Sequence, residues 1–457
     1  MNVQRLDDLV AMLRDSRIDR REFFRRAAAL GLSASAIGMA LQAAPAFAQA
    51  SSSGAPQTAA DIGAPGITHI TTTSKGTIHL YSSWPLSAAS KQIGGDAVEA
   101  IKMAFEDRGN AAGGYALKYT ALDDGIASKN GSWDAGKEAE NANTVVNDKD
   151  CMTYMGTYNS GAAEISIPIL NKADMAMISY ANTAVELTKS SPTNEPGFPD
   201  KLYPTGKRNY MRVCPADDIQ GAAAANWAYN TKKLRRAYVL NDNQIYGKGV
   251  ATAFADNFKK LGGTVLANQP FDPNQPSYSG LMDLIASKNP DILYVGSIVN
   301  LNPAKVLQDM RNKMSADKVV FMGPDGLANQ AFIDAAGDAA EGAYITFGGL
   351  PPEEMVAKGG AGKDYVDRIT KRLGHTPDSY AVYSYEVAAV VVQAIDKAGV
   401  NDRAKILDAM FHTEGFRGLL GTWSFGPTGD TTSATISLNV VKNATLTFQQ
   451  EIHPATT

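Results

Sequence analysis

The stretch Ala237-Tyr-Val-Leu-Asn-Asp-Asn-Gln-Ile-Tyr-Gly-Lys-Gly249, with its continuation to Thr264-Val-Leu-Ala-Asn-Gln269, decides the fold. Ala237 to Leu240 reads as a short buried strand, and a polar loop follows it from Asn241 to Gly247. A helical period then runs from Gly249 to Leu261, and Thr264 to Gln269 is β-rich again. Strand, crossover helix and strand in about 30 residues make a βα unit of a parallel sheet. The pattern repeats in both directions. C-terminal to it, strands are expected at Ile292–Gly296, Val319–Met322 and Ala343–Thr346, with helices near Tyr278–Ser287, Ala304–Arg311 and Gln330–Ala336. N-terminal to it, strands are expected at Thr77–Tyr81, Ala116–Leu122, Met152–Gly156, Met175–Ile178 and Tyr210–Val213, with helices between them. The expected class is α/β, with two doubly wound parallel-sheet lobes in succession. Helical segments at Lys363–Leu373 and Ser379–Ala398 and β-like runs around Thr422–Phe425, Thr435–Val441 and Leu446–Gln449 close the chain.

The first residues set the compartment. Arg20-Arg21 stands before Phe23-Phe24, a mild apolar run spans Ala27 to Ala44, and Ala46-Phe47-Ala48 ends the segment. Paired arginines, a diluted apolar core and an Ala-x-Ala end match a twin-arginine export signal, with cleavage expected after Ala48 and the periplasm as destination. Ser33, Ser35 and Gln42 interrupt the run, which falls short of the roughly 20 apolar residues that span a bilayer. Residues 49–75, rich in Ala, Ser, Thr, Gly and Pro without apolar period, read as a flexible tether. Residues 1–48 hold seven Arg against five Asp/Glu, so the formal charge of −4 becomes −6 without them. That balance argues against nucleic acid or an anionic membrane as partner.

Cys151 and Cys214 are the only thiols, no Cys-x-x-Cys or Cys/His cluster at metal spacing occurs, and no cofactor or catalytic constellation is legible. In open α/β sheets, ligands bind beyond the carboxyl ends of strands. The loops there are Ser82 to Ser87, Tyr158 to Gly161, Ser179 to Thr183, Asn241 to Gly247, Ser297-Ile298 and Gly323 to Gly326. Asp325 in Gly-Pro-Asp-Gly also suits a plain turn, replaceable at little cost to folding. Ser160 and Thr183 also suit helix caps.

The order and spacing of Pro85-Leu86-Ser87, Asp123-Asp124, Gly156 to Ser160, Met177 to Ser179 with Glu186 to Thr188, Gln220-Gly221, Tyr246 to Gly249 and Phe321 to Gly326 resemble periplasmic substrate-binding proteins of the leucine/isoleucine/valine-binding type. The resemblance runs from about Gly76 to Val441 and implies a type 1 periplasmic binding fold whose two lobes are joined by a three-strand hinge. Residues 76–216 with 350–430 would form the first lobe, and 217–349 with 431–457 the second. It implies a receptor that carries a small amino acid to the membrane permease of an ABC importer. Ser160, Thr183 and the backbone around Ala181 would hold the ligand carboxylate, Asp325 its ammonium, and Tyr246 would close over it. Where the family pattern has tyrosines this chain has Ile93 and Ile298, so an apolar ligand side chain is expected, with Trp84 as a further lining residue. A monomer is expected. A sensor for an amide, urea or another amino acid is the alternative.

If the arginine pair is the export signal, replacing both Arg20 and Arg21 with Lys abolishes export. Cell fractionation checks this: normal yield of the variant in the periplasm rules the assignment out.

Overall fold

The structure is a computed structural model and describes Pro56, Thr58 and residues 61–191 and 195–455. The export signal and the start of the tether lie outside the described residues. The strands in chain order are β1 (Thr77–Trp84), β2 (Ala111–Ala112), β3 (Tyr115–Asp123), β4 (Cys151–Gly156), β5 (Ala176–Ser179), β6 (Tyr210–Arg212), β7 (Arg236–Asn241), β8 (Thr264–Pro270), β9 (Ile292–Gly296), β10 (Val320–Gly323), β11 (Tyr344–Gly348), β12 (Phe416–Gly418), β13 (Gly421–Trp423), β14 (Ile436–Lys442) and β15 (Thr445–Ile452). One sheet runs β2-β3-β1-β4-β5-β6 and a second runs β15-β14-β11-β10-β9-β7-β8. The central strands β4, β5, β9 and β10 are buried at every residue, as parallel strands covered on both faces must be.

The parallel reading holds for the sheet centres but not for their margins. β2 runs antiparallel to β3, and β14 and β15 are antiparallel to β11 and to each other. The physical reason at the second sheet is a two-residue connection, Asn443-Ala444, with φ of 52° and 56°. Positive φ at both positions fits a tight hairpin, and a parallel crossover needs a dozen or more residues. The helices Pro352–Lys358 and Arg403–Phe411 are not among the elements read from the sequence pattern. The second is announced only by its cap, Asp402, which accepts from the Lys405 N–H at 2.9 Å.

The chain passes between the sheets three times. It leaves the first after Arg212, returns after Gly348, and leaves again before Ile436. The helix Ala381–Ala398 packs on the first-lobe helix Lys91–Asp107, which returns this part of the chain to the first sheet. The crossings touch one another: the Arg212 N–H donates to the Gly429 carbonyl at 3.0 Å and the Gly349 N–H to the Thr435 carbonyl at 2.7 Å. The Pro215 ring lies against Gly348. Cys151 and Cys214 are both free and buried.

Residues 61–75, expected as part of a flexible tether, lie pinned to the first lobe. The His69 Nδ1 meets Asp396 Oδ2 at 2.7 Å, the Ile70 N–H donates to the same carboxylate at 3.1 Å, and Lys75 Nζ donates to the carbonyls of Gly113 and Gly399. These polar partners come from residues more than 300 positions away in the case of Asp396, so no local period could have announced them. Among the described residues no helix is long and apolar enough to cross a membrane.

At the crossings one cation is fully buried. Arg212 is 0% exposed; its Nε donates to Asp430 Oδ1 at 2.6 Å, its Nη1 to the carbonyls of Asn182 and Ala184, and its Nη2 to Thr188 Oγ1. Burial alone pushes the Asp430 carboxyl up, but the charges of Arg212 and Lys189 outweigh it and hold it well below the usual carboxylate range. A depressed folded value means stability that is complete above the unfolded pKa of about 3.9 and is lost as the pH falls below it. Asp430→Asn strands the Arg212 charge and is expected to cost about 3–5 kcal/mol at pH 7. Thermal melts from pH 7 to pH 3 check both parts, since the variant should melt lower at pH 7 and lose less on acidification than the parent.

Candidate functional site

The carboxyl ends of the two sheets face each other, and the polar loops read from the sequence come together there. After β4, Ser160 opens the helix Ser160–Asn171, and its Oγ accepts from the Ala184 N–H at 3.3 Å, which joins it to the loop after β5. In that loop the Ala181 N–H donates to Ser179 Oγ at 3.1 Å, and the Thr183 carbonyl accepts from the Asp217 N–H at 2.8 Å. These contacts hold the first-lobe side of the site to the start of the first crossing.

Asp325 is the centre of the second-lobe side. It follows β10 and is 3% exposed. Its Oδ1 accepts from Gln220 Nε2 and from the Tyr246 hydroxyl, both at 2.7 Å, and its Oδ2 accepts from the Tyr380 hydroxyl. Gln220 Oε1 in turn accepts from the Asp325 N–H at 3.0 Å and from Thr346 Oγ1 at 2.8 Å, while the Tyr246 oxygen accepts from the Gly326 N–H at 2.8 Å. Tyr246 reaches this point from the first turn of the helix Ile245–Lys260. Gly326 is required at its place because a Cβ there would press on the Ser297 carbonyl and the Tyr246 ring.

Tyr380 comes from the other side of the cleft, at the start of the helix Ala381–Ala398. Its bond to Asp325 therefore spans the lobes. A second bridge lies at the mouth, where Asn300 Nδ2 donates to the Asn130 carbonyl at 2.8 Å and to Ser90 Oγ at 3.2 Å. Beside it opens a cavity of about 1040 Å³ between Ser128–Ala135 of the first lobe and Asp242–Gln244 and Phe271–Asn274 of the second. Asp325, Gln220, Tyr246 and Tyr380 do not line that cavity.

Burial pushes the Asp325 carboxyl up, against the bonds from Tyr380, Tyr246 and Gln220 that stabilise its charge. Asp217, also buried, is pushed well up by burial and then by the neighbouring Asp325 charge. Gln220 Nε2 spans the two, at 3.4 Å from Asp217 Oδ1. Two desolvated carboxylates in one place make the site receptive to a cation. Arg212 bears on Asp217, yet its donors point to Asp430, Thr188 and two carbonyls.

Of the residues singled out in the sequence, Tyr246 and Asp325 touch directly, and Ser160 joins the Ala181–Thr183 loop. Trp84 is fully buried, with its ring 4.2 Å from that of Tyr180. Ile93 lies in the apolar cluster that contains Trp84, Tyr158 and Tyr180, and Ile298 in the one that contains Tyr246 and Tyr294. Sequence reading missed Gln220 as a partner of Asp325, although Gln220-Gly221 stands in a legible motif, and it missed Tyr380, which no local signal marks. His79 and Asp148, 2.7 Å apart with Asp150 nearby, form a polar group at the opposite end of the first sheet and belong to no part of this site.

Two α/β lobes, three adjoining crossings and a polar cleft define a receptor of the periplasmic-binding class. The chain belongs to the periplasmic binding protein family, whose model matches residues 78–445. A curated relative, the Leu/Ile/Val-binding protein BraC3 of Rhizobium johnstonii, is 27% identical over 355 residues, covering 78% of this chain and 88% of its own. Among solved structures, a leucine-binding protein LivK of Thermotoga maritima superposes with a TM-score of 0.70 at 24% identity over 83% of this chain and 99% of its own. A solute-binding protein of an ABC transporter from R. palustris, solved with benzoate, gives a TM-score of 0.68 at 17% identity over 83% and 98%. The two structures establish the type 1 fold.

The hydrogen-bond count at Asp325 corrects the expectation of a replaceable turn residue. Truncating it to Ala strands donors of Gln220, Tyr246 and Tyr380, so Asp325→Ala should cost at least about 1–3 kcal/mol, the penalty for one buried donor left unmade. Chemical denaturation without any ligand measures this, and an unchanged midpoint would show the carboxylate to be dispensable for folding.

Proposed function

We propose that this protein is an extracytoplasmic receptor that binds a small α-amino acid in the interlobe cleft and delivers it to the permease of an ABC importer. The observation that carries the reading is the buried Asp325 carboxylate, held by Gln220 and Tyr246 of its own lobe and by Tyr380 of the other; the Ser160 and Thr183 loops would supply the opposite wall. A zwitterion matches such a pair of walls, with its ammonium at the desolvated carboxylate and its carboxylate at the helix N-terminus that begins with Ser160. The name of the Leu/Ile/Val-binding relative supports an amino acid. The benzoate-bound neighbour shows that the same fold also houses a ligand without an ammonium group. The chemistry of Asp325, not the fold, therefore selects the amino acid.

Ile93 and Ile298 support an apolar body for the ligand side chain. Binding closes the lobes about the crossings at Pro215–Asp218, Phe347–Leu350 and Thr428–Thr432, which lets a permease distinguish loaded from empty receptor. The twin-arginine leader brings the folded chain to the periplasm, with cleavage after Ala48, and the receptor acts as a monomer.

Asp325→Asn keeps the size and one acceptor of the side chain but removes the charge. Affinity for an α-amino acid should fall at least about tenfold, or about 1.4 kcal/mol, with the fold retained. Titration calorimetry of parent and variant against amino acids, amides and urea is the test. Equal or tighter binding of amides or urea by the parent would reject the amino-acid reading.

A further inference from the structure

Five buried aromatic rings converge beside Asp325 from five separate elements. Trp84 ends β1, Tyr158 and Tyr180 follow β4 and β5, Phe347 lies in β11, and Tyr380 opens the helix Ala381–Ala398. Their centroids lie 4.2 Å apart for Trp84 and Tyr180, 5.4 Å for Tyr158 and Tyr380, 5.7 Å for Tyr180 and Tyr380, and 5.0 Å for Phe347 and Tyr380. All four pairs are edge-to-face. Tyr380 connects this nest to the polar centre, since its ring stands among the others while its hydroxyl donates to Asp325. A group that pairs with Asp325 therefore has aromatic rings as its next neighbours.

Two hydroxyls in the nest have nothing to bond. Tyr158 is 6% exposed and Tyr180 0% exposed, and among the described residues neither hydroxyl has a hydrogen-bond partner. Buried hydroxyls are nearly always paired, because leaving one unpaired costs its full desolvation. A branched aliphatic side chain would bury area against the rings and leave both hydroxyls unsatisfied. A ligand ring gains the edge-to-face contacts that aromatic groups favour, and a polar atom at its far end gives the hydroxyls a partner. Both hydroxyls are buried, with the Asp378 and Asp325 carboxyls acting on Tyr158 and those of Asp378 and Asp124 on Tyr180, so an anionic far end is opposed by the cost of desolvating it there.

We propose that the ligand side chain is an aromatic ring with a neutral polar tip, seated among Tyr158, Tyr180 and Tyr380 with the tip hydrogen-bonded to the Tyr158 and Tyr180 hydroxyls, as in a tyrosine-class amino acid. The proposal rests on the reading of the cleft as an α-amino-acid site and specifies its side chain. Ile93 and Ile298 then contribute apolar contact to the ring and not the selection of a branched aliphatic.

Calorimetry of the purified protein against L-tyrosine, L-phenylalanine, L-leucine, L-valine and benzoate tests it. L-Tyrosine should bind at least about tenfold more tightly than L-leucine or L-valine, a difference of about 1.4 kcal/mol, with L-phenylalanine between. Tyr158→Phe and Tyr180→Phe keep the rings and remove the hydroxyls, so each should reduce the tyrosine-to-phenylalanine preference about three- to tenfold. A purely structural role for the hydroxyls would leave that ratio unmoved. L-Leucine binding as tightly as both aromatic amino acids overturns the proposal while the amino-acid reading stands. Tyrosine no tighter than phenylalanine overturns the polar tip. Binding of benzoate with no amino acid bound overturns the amino-acid reading itself.

Discussion

The buried guanidinium of Arg212 is the constraint on which the rest of the molecule depends. A charge removed from water costs several kcal/mol unless its donors are met, and here they are met by four residues at once. Asp430 lies on the third crossing, Asn182 and Ala184 belong to the site loop after β5, and Thr188 follows that loop. Arg212 itself ends β6, next to the first crossing. One side chain thereby fixes the edge of the first sheet, the conformation of the Ala181–Thr183 loop and the path of the chain between lobes. Because the guanidinium is planar with donors in a fixed fork, it sets directions as well as distances, which a lysine ammonium would not do.

The second lobe repeats the principle with a carboxylate. Asp325 is deep enough that burial opposes its charge, and the three donors around it offset that penalty in part. Gln220 holds both the side chain and the backbone of Asp325, so the carboxylate points in one direction before any ligand arrives. Such preorganisation lowers the ordering cost of binding. The Tyr380 contact is different in kind, because it comes from the other lobe. A ligand can shift an equilibrium between two arrangements of the lobes only by its differential affinity for them, and Asp325 with Tyr380 is a contact that joins the two lobes.

Alternation of strand and helix made the α/β class and the two lobes legible, because a parallel strand needs an apolar run and its crossover needs an amphipathic helix, both local properties. The five strands read between Ala237 and Thr346 lie within two residues of their places, Ile292–Gly296 on its limits. The Asn443-Ala444 hairpin was hidden because alanine at positive φ carries no local signal of a tight turn. The stretch 61–75 carries no local sign of its anchoring because its partners, Asp396, Gly113 and Gly399, stand elsewhere along the chain.

For the candidate site the division is similar. By itself the sequence determined which loops lie at the carboxyl ends of strands, and so that Ser160, Thr183, Tyr246 and Asp325 would come near the cleft. Only the tertiary structure decided that Asp325 is a buried acceptor with three donors and not a plain turn residue, that Gln220 and Tyr380 bond to it, and that the rings of Tyr158, Tyr180 and Tyr380 meet. The reason is physical: strand ends follow from local periodicity, whereas a hydrogen bond between Asp325 and Tyr380 joins residues 55 positions apart on opposite lobes and exists only once both sheets are folded and the crossings have brought them together.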